Sequence, residues 1–140
     1  MPIRPQLKWL YPLDWPELSR AIRFRRAKGN CEACGRPHGR IVMHLGDGRW
    51  WDAGGHTWRN DCGRSVRPNA IVALEAVRTT RVILATAHLD HDPANNVSRN
   101  LKALCQRCHL NNDRPEHLRR RFTTYRMRRA LGDLFLGPYS

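Results

Sequence analysis

Four of the five cysteines in this chain occur in two closely spaced pairs. Cys31 and Cys34 form one C-x-x-C motif, and Cys105 and Cys108 form the other. A C-x-x-C turn places two sulfur atoms on one side of a tight loop, and two such turns complete a tetrahedron around Zn²⁺. A disulfide framework would need an oxidising compartment, which nothing in the sequence indicates. The spacing therefore predicts a structural zinc site that joins distant parts of the chain, and it leaves Cys62 as a free thiol that is expected to be buried or half-buried.

Polar residues that could bind a second metal ion lie around the second cysteine pair. On a strand, His88 and Asp90 would point to one face and His91 to the other, unless the strand ends there. His109 and Asp113 are one turn apart on a predicted helix, so both could reach one metal ion. Together with Asp90 they would form an open site of oxygen and imidazole ligands, which suits Mg²⁺, Mn²⁺ or another divalent ion. A remaining histidine would take a proton from water, because imidazole exchanges protons near neutral pH.

This segment resembles the HNH endonuclease family. The resemblance is carried by three motifs, Asp90-His91, Asn100-Leu101 and Leu104 to His109, together with the first cysteine pair. It implies an α+β fold with a ββα-metal (His-Me finger) core, stapled by the four-cysteine zinc site and flanked by basic helices. Such a core has a strand bearing Asp-His or His-His, a loop, a second strand, and a helix begun by Asn-Leu.

The resemblance also implies roles for individual residues. Asp90 and His109 would hold the catalytic metal, His91 would be the general base, and Asn100 would hold the loop and orient that base. Only eight residues separate His91 from Asn100, whereas the family's loop is usually longer. A base at His88 would leave eleven, but Ala87 would then stand in the ligand position. We therefore favour His91, with His88 as a second metal ligand or a substrate contact.

The implied activity is hydrolysis of DNA phosphodiester bonds with a single divalent metal and a histidine base. Asp113 is open between a metal ligand and a cap of the helix before Pro115. One alternative to the enzyme is a non-catalytic zinc module that binds nucleic acid, and another is a degenerate HNH domain retained for binding. A binding module would need none of the four residues Asp90, His91, Asn100 and His109.

The charge of the chain favours a polyanionic partner. Its 140 residues carry a formal net charge of +13, and only three of the 25 basic residues are lysines. Arginine suits phosphate because its planar guanidinium makes two parallel hydrogen bonds. We expect DNA as the partner, no small-molecule substrate and no membrane association, and the oligomeric state stays open. The expected contacts to nucleic acid are Arg20, Arg23, Arg26, Arg107, Arg119, Arg120 and Arg126.

The amino-terminal sequence lacks a signal-peptide core, and no run of apolar residues is long enough to span a membrane. Together with the resemblance, this favours a cytoplasmic protein of a bacterial cell or its phage. We expect one domain over residues 1–140, with a zinc-stapled core at 31–113 and an insertion near 46–80.

The elements that position these residues are predicted from local signals. A basic helix is expected over 14–28, with Asp14 as its cap and Glu17 reaching back. The segment 41–51 reads as a hairpin around Asp47-Gly48. Further along, 52–69 lacks periodicity and is predicted to be a long loop or insertion. The run 71–77 is open between strand and helix, and 81–89 is predicted to be a strand. From Asn100 the chain is expected to be helical, with a basic helix at 114–131.

Other candidate residues have a simpler interpretation. Trp50, Trp51 and Trp58 could stack nucleotide bases, but tryptophans of a small zinc-stapled domain more often fill its core. Four histidines lack a partner at metal-ligand spacing and are expected on the surface or in packing: His38, His44, His56 and His117.

Overall fold

The computed structural model of this chain describes residues 3–67 and 76–136. The chain divides into two compact units, residues 1–109 and 110–140. The first contains two antiparallel sheets and short helices, and the described part of the second, residues 110–136, is the rest of a long helix. This arrangement confirms the α+β class.

The predicted amino-terminal helix is present but changes its winding halfway. A 3₁₀ helix at Pro5–Leu10 precedes helix α1, which spans Trp15–Arg20 and continues as a π-helix over Ala21–Arg26. The expected capping hydrogen bond of Asp14 is absent, so this detail of the prediction was wrong. The ψ angle of Asp14 is 14°, whereas a capping side chain needs an extended backbone to reach the first N–H groups.

Five short strands form the larger sheet. They are β1 (Ile41–His44), β2 (Trp50–Asp52), β3 (Thr57–Arg59), β4 (Ser65–Val66) and β5 (Arg78–Arg81), in the order β4-β3-β2-β1-β5. The predicted β1–β2 hairpin is confirmed, with His44 opposite Trp50. Its turn contains Gly46 at φ +80° and Gly48 at φ +108°, backbone angles that glycine adopts without steric cost.

The prediction of a loop over 52–69 was wrong, because β3 and β4 extend the sheet there. Side chains hold this pairing together: the rings of Trp51 and Trp58, which are directly opposite, are 5.7 Å apart, and Arg59 Nε lies diagonally across the strands, 2.7 Å from Asp52 Oδ2. Strands of two or three residues show no periodicity in sequence, so only these cross-strand pairs reveal them. Residues 68–75, with most of the apolar run 71–77, lie outside the described residues.

The second sheet is a two-stranded ribbon of β6 (Ala85–His88) and β7 (Leu101–Leu104), with His88 opposite Leu101. Two predictions were wrong here. The expected strand 81–89 is interrupted, since β5 and β6 belong to different sheets. The expected helix from Asn100 is replaced by β7, because Leu101 and Ala103 are both buried and the backbone pairs with β6.

Helix α2 spans Gln106–Leu136 and so begins eight residues before the predicted basic helix. Pro115 lies inside it, where the helix continues without the hydrogen bond that a proline cannot donate. Asp113 is therefore a residue of the helix interior, and its interpretation as a cap was wrong. Among the described residues 110–131 none is buried, so the second unit has no hydrophobic core of its own in that range.

The core of the first unit contains the cysteines. The smaller of two buried clusters joins Ile22 to Leu101 and Ala103. The larger one consists of Cys31, Cys34, Val42, Trp50, Val82, Leu84, Ala87, Leu104, Cys105 and Cys108. The predicted zinc site is thus part of the main core. No helix in the described part of the chain is both long and apolar enough to cross a membrane.

Candidate functional site

The structure brings the four predicted cysteines together. The sulfur atoms of Cys31, Cys34, Cys105 and Cys108 all lie within 4.8 Å of one another, and all four residues are buried. Cys62 is exposed, so the expectation of a buried or half-buried thiol there was wrong. Tetrahedral Zn–S bonds of about 2.3 Å would separate sulfur atoms by about 3.8 Å. The distance between the sulfur atoms of Cys34 and Cys105 is 3.7 Å. The geometry therefore fits one zinc ion with four protein ligands, the closed arrangement of a structural site.

The pKa values of the four thiols are also those expected of a site that binds a cation. A hydrogen bond with Cys105 lowers the pKa of the Cys31 thiol and raises the pKa of Cys108, while the pKa of Cys105 itself falls to about 7. Sulfur atoms this close share protons, because burying several thiolates side by side without a positive charge is costly. A divalent cation removes that cost, since metal-bound cysteine is deprotonated.

Glu32 holds the first cysteine pair against β7. The backbone N–H of Glu32 donates to Ala103 O at 2.9 Å, and its carboxylate accepts from Ala103 N at 2.7 Å. Arg26, on the π-helix, forms an ion pair with the same carboxylate, with Nη2 2.8 Å from Glu32 Oε2. It also donates hydrogen bonds to Ser98 O and to Leu101 O. Sequence reasoning missed Glu32, although its place between two metal ligands was a usable signal.

The residues around Asp90 form a hydrogen-bonded loop at the end of β6. The Asn100 side chain accepts from Asp90 N at 3.1 Å and donates to Asp90 Oδ1 at 2.8 Å and to Asn95 O at 2.8 Å. Asn95 donates to Asp90 Oδ2 at 2.7 Å, and Asp92 N donates to Asp90 Oδ1 at 2.9 Å. Asn100 thus ties the start of β7 to the turn that follows β6.

These hydrogen bonds stabilise the ionised form of Asp90. The Asn95 amide, then the Asp92 N–H and the Asn100 amide, lower the pKa of Asp90 to about 2. A carboxylate offers about four lone-pair positions, of which three are used by these donors. One position on Oδ2 is left for a further ligand.

His88 occupies the last position of β6 and is enclosed by aromatic rings. Its ring stacks on Trp15 with centroids 4.9 Å apart and meets the edge of Tyr11 at 5.6 Å, while Nε2 lies 3.0 Å from Asn96 Oδ1. Only 9% of the residue is exposed. No local signal in the sequence linked Trp15 or Tyr11 to this histidine.

His91 lies in the turn after β6, three residues beyond His88. Its φ angle is +62° and its N–H donates to His88 O at 3.1 Å. The left-handed backbone shows that β6 has ended before Asp90. The alternating faces expected for His88, Asp90 and His91 therefore do not apply.

His109 lies in the first turn of α2, where its N–H donates to Cys105 O at 2.8 Å. In the described part of the chain, the four cysteines are the only group of three or more His, Cys, Asp or Glu side chains whose ligand atoms all lie this close together. A catalytic metal held by Asp90 and His109 stays a prediction. Asp113 belongs to the second unit.

Some of the arginines predicted to contact nucleic acid already interact with other protein groups, and others are exposed. Arg23 donates to Ser19 O and Leu84 O, and Arg107 pairs with Asp61 at 3.1 Å. In the second unit, Arg119 and Arg120 both pair with Glu116, and Arg126 lies over the Phe122 ring. Arg20 is exposed on α1.

The tryptophans considered for base stacking lie in the protein interior or contact each other. Trp50 is in the core and only 2% exposed, while Trp51 and Trp58 pack against each other.

Comparisons with protein-family models, with characterised proteins and with solved structures found no match to this chain. The features of this chain that indicate a function are therefore the four-cysteine site and the loop that Asp90 and Asn100 close.

Proposed function

We propose that this protein is a metal-dependent HNH endonuclease that hydrolyses DNA phosphodiester bonds. The observation that carries the proposal is the hydrogen-bonded closure of Asp90 by Asn100 at the end of β6. It holds an ionised carboxylate and two histidines, His88 and His91, within one turn. The order β6, loop, β7 and α2 also agrees with the strand, loop, strand and helix that the family resemblance implies, although Asn100-Leu101 begins β7 rather than the helix.

In this proposal, Asp90 and His109 hold a Mg²⁺, Mn²⁺ or other divalent ion. Asp90 is suited to this because it is ionised and keeps one lone-pair position. The bound ion would stabilise the negative charge that develops on the phosphate and on the departing 3′ oxygen. Asn100 positions Asp90, and a histidine removes a proton from the attacking water.

His91 is the better candidate for the general base. The His88 ring is buried between Trp15 and Tyr11, and Asn96 occupies its Nε2. His91 is only partly buried, so water has easier access to it than to His88. In this assignment, His88 stabilises the turn through its stacking on Trp15 and its hydrogen bond with Asn96.

DNA is the proposed partner because the chain carries a net charge of +13 made mostly of arginine. Exposed arginines of this kind bind the phosphate backbone independently of the base sequence. Arg20 is such a residue in the first unit. Arg23, Arg26 and Arg107 already bond to protein groups, so their part in binding would be smaller.

The test is nicking of supercoiled plasmid with Mg²⁺ or Mn²⁺. Three variants are compared with the wild type: His91→Asn, which tolerates the left-handed backbone, His88→Gln, and His117→Ala as a control on the exposed face of α2. Nicking that is lost in His91→Asn and kept in the other two supports the proposed base. Loss confined to His88→Gln moves the base to His88. Absence of nicking by the wild type in every divalent metal refutes the proposal.

A second candidate is a non-catalytic zinc module or degenerate HNH domain that binds nucleic acid. It is favoured by one observation: Asp90, Asn95 and Asn100 satisfy one another, so the polar cluster also has a purely structural explanation. A protein that binds duplex DNA tightly but fails to nick it would establish this candidate.

A further inference from the structure

Three guanidinium groups converge on the turn between β1 and β2. Arg107 Nη1 donates to Gly46 O at 3.1 Å, and Arg36 Nη2 lies 3.5 Å from Gly48 O. Arg78 Nη1 is 4.0 Å from where a Cβ atom on Gly46 would stand. We call Arg36, Arg78 and Arg107 the arginine cluster. It is built from three separate segments of the first unit.

The arginine cluster has too few carboxylates to balance it. Asp61 pairs with Arg107 at 3.1 Å and packs so closely on Gly48 that a side chain there would overlap it. Among the described residues, neither Arg36 nor Arg78 forms an ion pair. Arg36 is nonetheless only 4% exposed, and its Nε has no hydrogen-bond partner within the part of the chain that the structure describes. A buried guanidinium without a counter-charge is unfavourable, and an anion bound nearby would offset that cost.

His44 lies beside the arginine cluster and is affected by its positive charge. It faces Arg78 across the β1–β5 pair, and its Nδ1 accepts from Gly46 N at 3.2 Å. Partial burial, and then the positive charges of the three arginines, lower the pKa of His44 below its ordinary value. The field at this turn is therefore positive even with Asp61 present.

We infer that the arginine cluster binds a phosphate group of a nucleic-acid backbone. Guanidinium groups from different segments can surround the phosphate oxygens, and arginine donates to phosphate through two parallel hydrogen bonds. The inference rests on the proposed function in one respect, that nucleic acid is the source of the phosphate. It adds Arg36 and Arg78, which sequence reasoning did not select, and it gives Arg107 a role beside its pairing with Asp61.

The test measures binding of a fluorescent DNA duplex over a range of salt concentrations, without added divalent ions so that cleavage does not interfere. Arg78→Gln is compared with Arg81→Gln. Both residues are exposed on β5 and lose the same charge, but Arg78 pairs with His44 whereas Arg81 pairs with Ile41, on the opposite face of the sheet. Melting curves of both variants check that the fold is intact.

Arg78→Gln is expected to weaken binding about tenfold and to reduce the slope of log K against log salt by about one. Arg81→Gln is expected to keep the wild-type slope. Equal effects of the two variants would show that only net charge matters and would overturn the inference. So would a wild type that does not bind the duplex.

A second arm separates the two sources of phosphate. Inorganic phosphate is titrated while the His44 imidazole signal is followed by NMR. A shift of that signal with free phosphate, in a protein whose duplex binding is unaffected by Arg78→Gln, would assign the arginine cluster to free phosphate and overturn the nucleic-acid source. A protein that binds duplex as expected but never nicks plasmid keeps this inference and refutes the endonuclease.

Discussion

Removing zinc from the four-cysteine site is expected to unfold the first unit. The sulfur atoms of Cys34 and Cys105 meet although 71 positions separate them in the chain. Closing a loop of that length costs the chain about 4 kcal/mol of entropy by the relation used for cross-links. Domains of this size are stable by only about 5–15 kcal/mol in total, and structural zinc contributes an apparent ~10–16 kcal/mol. The free energy of folding lost with the metal should therefore exceed the stability that the rest of the domain provides.

The environment of Trp50 makes this loss measurable. Trp50 is 2% exposed and belongs to the same buried cluster as the four cysteines. Its fluorescence should shift to longer wavelength when a chelator removes the metal, together with loss of the thermal transition. Metal analysis of the purified protein should find one zinc ion per chain.

Matched cysteine variants sharpen the test. Cys34→Ser removes one ligand from the buried cluster, whereas Cys62→Ser changes an exposed cysteine outside it. We expect Cys34→Ser to lose zinc and the thermal transition, and Cys62→Ser to behave as the wild type. A metal-free protein with an unchanged melting curve would refute the reasoning that zinc holds this core together.

Three further predictions concern the groups that support the site. Asn100→Ala should lower the free energy of unfolding in urea by about 1–3 kcal/mol, because it leaves the backbone N–H of Asp90 without its partner. An unchanged urea midpoint would contradict this, and Arg99→Gln, on an exposed neighbouring residue, is the control. Arg26→Gln should lower the free energy of unfolding by about 1–2 kcal/mol, since its guanidinium joins the Glu32 carboxylate to the carbonyl groups of Ser98 and Leu101. Arg25→Gln, on an exposed neighbouring residue, should cost less than half of that. Asp90 has a pKa of about 2 in the folded chain against an ordinary value of 3.8, so its contribution to stability is complete above pH 3.8 and is lost as the pH falls towards 2. The difference in stability between wild type and Asp90→Asn should therefore shrink over that range, and a difference independent of pH would contradict the hydrogen-bonded loop.

The amino-acid sequence predicted the parts of this protein that depend on residue type and short spacing. Two C-x-x-C motifs indicated the four-cysteine site because neighbouring sulfur atoms on a tight turn are a local property. Asp47-Gly48 indicated the β1–β2 hairpin in the same way, since the positive φ angle that such a turn needs is one that glycine adopts without steric cost. Arg26 and Arg107, by contrast, were predicted as contacts to DNA, but both also bond to distant protein groups that a one-dimensional reading cannot identify.

The tertiary structure decided what depends on pairing between distant segments. Leu101, Leu104 and Cys108 have helical spacing, yet Leu101–Leu104 is a strand because its backbone groups pair with β6. The positions of β3 and β4 follow from cross-strand contacts rather than from any local pattern. The arginine cluster exists only because three segments of the chain meet at one turn. Chemistry carried by single residues could thus be predicted from the sequence, while their neighbours were set by long-range hydrogen bonds and packing.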